Sequence, residues 1–157
     1  MKKTIGLMCL AAMALAAPAT APAQRGPQAE TLFRCALGNG KTVNVTARGD
    51  QVTYRYGTTR RAELTLTANP RSGNAHFMYQ RYASIESQLR FTNGQYSYVV
   101  YSMGPSQVAQ SNGVSGLVVF RGTRRIADHS CRRFTEFSGG FELMPRFPED
   151  SETYSAM

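Results

Sequence analysis

The sequence predicts an all-β protein: a small antiparallel β-barrel or sandwich of about seven or eight strands, closed by one disulfide and followed by an aromatic, acidic C-terminal tail. Three observations carry this expectation. Apolar residues recur at every second position through most of residues 32–133, and no stripe of helical spacing competes with them. Three Asn-Gly pairs and one Arg-Gly-Asp turn punctuate the runs where hairpins would reverse. Two cysteines, Cys35 and Cys131, stand near the two ends of the patterned region.

The 157 residues divide into three stretches. Met1-Lys2-Lys3 leads into an apolar run over residues 5–17 and then into Pro18, Ala19, Thr20, Ala21, Pro22 and Ala23. That order of basic, apolar and small residues is expected of a signal peptide, residues 1–23, cut near Ala23 to leave Gln24 as the mature start. A membrane anchor fits less well, because a thirteen-residue helix reaches only about 20 Å against a hydrocarbon core of about 30 Å. Cys9 lies within the apolar run without the small residues of a lipoprotein signal. Processing therefore leaves Cys35 and Cys131, which are expected to pair in an oxidising periplasm or outside the cell. They lack the convergent histidines of a zinc set.

Along residues 24–133 the elements follow in order. From Leu32 the chain turns to period two, and Asn39-Gly40 supplies the first reversal. Val43 and Val45 alternate with Thr42, Asn44 and Thr46, while Val52, Tyr54 and Tyr56 alternate with Gln51, Thr53 and Arg55. Arg48-Gly49-Asp50 joins these two strands, and its Gly-Asp is read as turn chemistry rather than as an adhesion tripeptide. Leu64 and Leu66 mark the next strand, and Phe77 and Tyr79 lie in the run that His76 begins. Residues 84–90 could form two helical turns, yet Ile85, Leu89 and Phe91 continue into a strand that reverses at Asn93-Gly94 into Tyr96 and Tyr98. Residues 104–114 read as a polar loop ending in Asn112-Gly113. Residues 117–120 form a β-branched and aromatic run, and a last strand delivers Cys131. Residues 134–157 scatter Phe134, Phe137, Phe141, Leu143, Met144 and Phe147 among glycines and prolines, a tail expected to pack in part and to be disordered in part.

Little catalytic chemistry is legible. The histidines are His76 and His129, and Asp128-His129-Ser130 cannot act as a triad on an extended strand, where neighbours point to opposite faces. No phosphate-binding glycine loop, acidic metal loop or paired-cysteine redox motif is present, so no cofactor and no enzymatic activity is expected. Charge is more informative. Residues 24–133 carry +10, with fourteen arginines and a single lysine, whereas residues 134–157 carry −4. Arginine suits bidentate contacts with carboxylate and phosphate, and Arg121, Arg124 and Arg125 belong to the densest clusters. Export argues against a nucleic-acid partner and for an anionic envelope component such as peptidoglycan or lipopolysaccharide, or for an envelope protein. In the bland alternative the arginines solvate outer strand faces and the acidic tail neutralises them within the chain.

Phe33-Arg34-Cys35, Cys131 and the β pattern over residues 32–133 resemble the membrane-bound and periplasmic C-type lysozyme inhibitors. The resemblance implies an exported β-barrel with an aromatic-x-Cys at its start, and lysozyme inhibition through a Ser-Gly-x-x-Tyr loop. Here Ser72-Gly73-Asn74-Ala75 is followed by His76, so Ser72 and Gly73 carry over and the tyrosine does not. The family's second, lysine-bearing stretch has no counterpart. The candidate binding residues are Ser72, Gly73, His76, Arg121, Arg124 and Arg125. The expected function is a non-catalytic periplasmic binding module, lysozyme-inhibitor-like, with an envelope assembly protein or an arginine-rich envelope binder as the alternative.

Overall fold

The computed structural model describes residues 28–81, 84–108, 110–140 and 142–152. The expected leader and its cleavage site lie outside the described residues. Among those described, nine strands form two antiparallel sheets: β1 (Glu30–Ala36), β2 (Thr42–Arg48), β3 (Gln51–Gly57) and β4 (Ala62–Ala68) in one, and β5 (Ala75–Arg81), β6 (Ile85–Asn93), β7 (Tyr96–Met103), β8 (Val114–Arg121) and β9 (Arg124–Ser130) in the other. Each strand pairs with its sequence neighbours within its sheet.

The period-two pattern sets which side of each strand is buried. Val43, Val45 and Ala47 stand opposite Tyr56, Tyr54 and Val52 on the inner face, and Leu64, Leu66 and Ala68 continue those rows on β4. A bulge between Thr31 and Phe33 inserts Leu32, so both Leu32 and Phe33 are buried. The second sheet contributes Leu89, Phe91, Val100 and Leu117 to the same core, and Tyr54 meets Phe91 and Tyr98 across it at ring separations of 5.4 and 5.6 Å. Burying a side chain such as Phe91 contributes about 1.5–3 kcal/mol. The Tyr54 hydroxyl lies in this core with no hydrogen-bond partner. Burial first, and the neighbouring Tyr98 and Tyr56 second, push its pKa far above the ordinary phenol range.

The outer face of β6–β8 is buried as well, through Gln88, Arg90, Val99, Tyr101 and Val118. This explains why these strands read as nearly continuous β-forming runs rather than clean alternation.

The turns follow the glycines. Gly94 sits at φ +58° in the β6–β7 hairpin, where Asn93 pairs with Tyr96, and Gly49 at φ +56° reverses β2 into β3. Asn112-Gly113 does not turn a hairpin between strands. Instead Ser106 and Ser111 exchange backbone hydrogen bonds of 3.0 and 2.9 Å, and Gly113 leads directly into β8.

The expectation of a barrel or sandwich of seven or eight strands is corrected in strand number and in barrel closure. Nine strands are described, and the polar, largely exposed β9 is a full ladder partner of β8 despite its weak apolar pattern. The sheets do not close. β4 and β5 share no ladder, and Asn74 Nδ2 donating to the Thr67 carbonyl at 2.9 Å links their ends. On the other side, β1 and β9 share no ladder; a Leu37–Cys131 bridge, the Arg132 amide donating to the Ala36 carbonyl at 2.8 Å and the Cys35–Cys131 disulfide, whose Cα atoms are 5.6 Å apart, join their ends.

The tail occupies both seams. The Ser138 amide donates to the Leu32 carbonyl on β1 at 2.8 Å; farther on, the Phe77 amide of β5 donates to Pro148 and the Asp150 amide donates back to Phe77, at 2.9 and 3.0 Å. Between these points Phe137, Leu143, Met144 and Phe147 are buried in the main core. A closed barrel would have to expel these four side chains, at about 1.5–3 kcal/mol each.

The tail is held electrostatically too. Arg146 grips Asp50 in the β2–β3 turn with contacts of 2.6 and 3.0 Å. Arg90 Nε lies 2.8 and 3.0 Å from the Asp150 carboxylate, with both residues 4% exposed, and Arg90 Nη2 donates to the Glu152 carbonyl. The acidic tail thus neutralises one specific buried arginine. Among the described residues no helix is long and apolar enough to cross a membrane.

Candidate binding cleft

Alternation along β5 turns Phe77 and Tyr79 to the inner face, opposite Leu89 and Ser87 of β6, and β7 places Ser102 opposite Ser87. At this end the sheet runs beyond the main core. Tyr79 is 55% exposed and Ile85 45% exposed, an unusual outlay of apolar surface at adjoining positions.

The tail converts that overhang into a cleft of about 560 Å³. Phe77, Phe137, Met144 and Phe147 supply its aromatic and thioether lining, Tyr79 and Ile85 its exposed wall, and the Ser87 and Ser102 hydroxyls its polar points. Its volume falls in the range of small-ligand sites. Glu136 and Glu149 also line it, both on exposed stretches of the tail. Neither carboxylate has an ion-pair or hydrogen-bond partner among the described residues, although the β domain carries an excess of arginine. Chemically, the arrangement is an apolar slot with an anionic rim, fitted to hold a molecule with an apolar body and a cationic head.

The candidates named from sequence lie elsewhere. The Ser72 hydroxyl is engaged within its own loop: it donates to the Asn69 carbonyl at 2.8 Å, accepts from the Asn69 amide at 3.0 Å and contacts Asn74 Oδ1. Gly73 beside it takes φ +69°. His76 faces the opposite side of β5 from the cleft, across from Arg90, with Nδ1 buried and unpartnered. Arg121 stacks on Tyr96 with its guanidinium 6.0 Å from the ring and donates to Gln95 at 3.0 Å; Arg125 pairs with Asp128 at 3.0 Å; Arg124 is exposed in the same turn. The register puts the Ser72 loop and the Arg121–Arg124 turn at the same end of the five-stranded sheet, on opposite flanks of it, so they do not form one site. Among the described residues no three of His, Cys, Asp and Glu cluster as a metal site would require.

Sequence reasoning missed the cleft because its two halves are about sixty residues apart along the chain and each has an ordinary explanation. Alternation does place Phe77 and Tyr79 on one face, and the tail aromatics do announce packing. What they pack against is a tertiary fact. The open two-sheet topology contradicts the barrel that the lysozyme-inhibitor resemblance implied, and the Ser72 hydroxyl is engaged within its own loop. Compared with protein-family models, with characterised proteins and with solved structures, the chain matches none of them.

Proposed function

We propose that this chain is a non-catalytic binding protein of the cell envelope, working after export, and that a small organic cation with an aromatic or alkyl body seats in the cleft between β5–β7 and the tail. The leading observation is the pairing of exposed Tyr79 and Ile85 with two carboxylates, Glu136 and Glu149, that have no cationic partner among the described residues of an arginine-rich chain. Export is supported by the pattern of residues 1–23 and by the Cys35–Cys131 disulfide.

The test is a titration of isotopically labelled protein with 4-phenylbutylamine, followed by amide chemical shifts, with 4-phenylbutanol as the uncharged control. Saturable shifts are expected at Tyr79, Ile85, Ser87 and Ser102 with the amine. Exposed ion pairs contribute about 0.2–1 kcal/mol each, so Glu136→Gln with Glu149→Gln is expected to weaken binding about fivefold. Absence of saturation at millimolar amine, or equal binding of the alcohol, would overturn the reading.

A further inference from the structure

The outer face of the four-stranded sheet carries an unusual regularity. In the register of β1–β4, Thr31, Thr46, Thr53 and Thr67 stand directly opposite one another, forming one row of four threonines across the sheet. The adjoining row is Arg34, Asn44, Arg55 and Thr65. Directly opposed residues in antiparallel strands have Cβ atoms about 4.5–5.5 Å apart, so Arg34 and Arg55 flank Asn44 with backbones about 10 Å from each other.

Two features of this second row point to a ligand. Neither Arg34 nor Arg55 has an ion pair or side-chain hydrogen bond among the described residues, so two like charges straddle a single position without compensation. Asn44 Oδ1 between them is buried and has no hydrogen-bond partner, a state that leaves a polar atom wanting a donor. The acid on the outward face of β4, Glu63, is already engaged by Lys41. Along the β2 strand itself the outward positions are Thr42, Asn44 and Thr46, so hydroxyl and amide groups border the cationic pair on both sides.

We infer that this face binds an acidic polysaccharide, with a sugar carboxylate held between Arg34 and Arg55 and the threonine row meeting the neighbouring sugar. Guanidinium groups pair with carboxylates through two parallel hydrogen bonds, and a flat array of hydroxyls suits a ligand whose own surface is mostly hydroxyl. The site is separate from the cleft and does not rest on it.

Isothermal titration of the expressed protein with hexagalacturonate, with maltohexaose as the neutral control, tests the assignment. Hexagalacturonate is expected to bind and maltohexaose not to bind. Arg34→Gln with Arg55→Gln is expected to lower affinity at least tenfold, and the corresponding lysine pair to recover only part of it. Arg60→Gln with Arg61→Gln removes the same charge from an exposed loop and is expected to change affinity less than twofold. Amide spectra of each variant establish that the fold is retained, as expected for substitutions outside the buried core. Equal losses from the two glutamine pairs, undiminished binding by the Arg34/Arg55 variant, or no binding of hexagalacturonate would each overturn the inference.

Discussion

Replacing Asp150 with alanine tests whether the tail is part of the folded domain. Arg90 and Asp150 are each 4% exposed, and the Arg90 side chain is fixed between the outer sheet face, the Phe120 ring at 5.7 Å and the tail. Removing one partner of a buried pair costs about 3–5 kcal/mol, because the remaining charge stays buried without compensation. Here the Glu152 carboxylate, 3.4 Å from Arg90 Nη1, remains as a partial substitute, which places the expectation near the lower end, at about 3 kcal/mol. With a urea m-value of about 1.5–2 kcal/mol/M for a domain of this size, the denaturation midpoint should fall by about 1.5–2 M. The same change should speed hydrogen exchange at the Phe77 and Asp150 amides, whose partners are the Pro148 and Phe77 carbonyls. Pairing Arg90→Met with Asp150→Leu removes both charges together and should recover most of the loss, since the penalty arises from the orphaned guanidinium. A loss below about 0.5 kcal/mol in the single variant, with unchanged exchange at both amides, would refute the view that the tail is latched by this pair.

Two further expectations concern the core and its covalent link. Tyr54→Phe removes a buried hydroxyl without a partner and should be neutral or stabilising by about 1 kcal/mol at neutral pH. Because the folded state holds the Tyr54 pKa above the ordinary 10.0, its contribution is intact below pH 10 and is lost as pH rises past it; urea unfolding at pH 11 should show the wild type losing about 1.4 kcal/mol that the variant keeps, and identical pH profiles would contradict the buried position. Reduction of Cys35–Cys131, which closes a separation of 96 residues, should lower stability by up to about 4.7 kcal/mol in the loop-entropy estimate; two alkylatable thiols should appear only after reduction, and an unchanged urea midpoint in the fully reduced protein would refute the constraint.

Much of the fold was legible because its signals are local. Alternation in Thr42–Arg48 and Gln51–Gly57 depends on one buried face and one wet face, and the positive dihedrals at Gly49 and Gly94 depend on the turn residues themselves. The pairing of Cys35 with Cys131 followed from counting cysteines on the expectation that residues 1–23 are a leader. β9 was expected only as the strand that delivers Cys131, and its bounds were less legible because an edge strand can be stabilised by its backbone ladder while its side chains face water, leaving Arg124, Arg125, Asp128 and His129 without an apolar period. The surroundings of the candidate binding residues were not legible for a related reason. Ser72 had the right chemistry for a presented loop, yet Asn69 and Asn74 lie within reach to absorb its hydroxyl.

By itself the sequence determined that the chain is all-β, where most strands turn and which cysteines join. These properties are set by interactions among residues close in sequence, or, for the disulfide, by Cys35 and Cys131 being the two cysteines within the strand-patterned region. Tertiary structure alone decided that the sheets stay open. Closure of a barrel and insertion of a tail compete for the same backbone edges and the same apolar volume. Phe137, Leu143, Met144 and Phe147 fill that volume while Ser138, Pro148 and Asp150 supply the edge hydrogen bonds. The same insertion places Glu136 and Glu149 against Tyr79 and Ile85, so the geometry that keeps the sheets apart also creates the cleft.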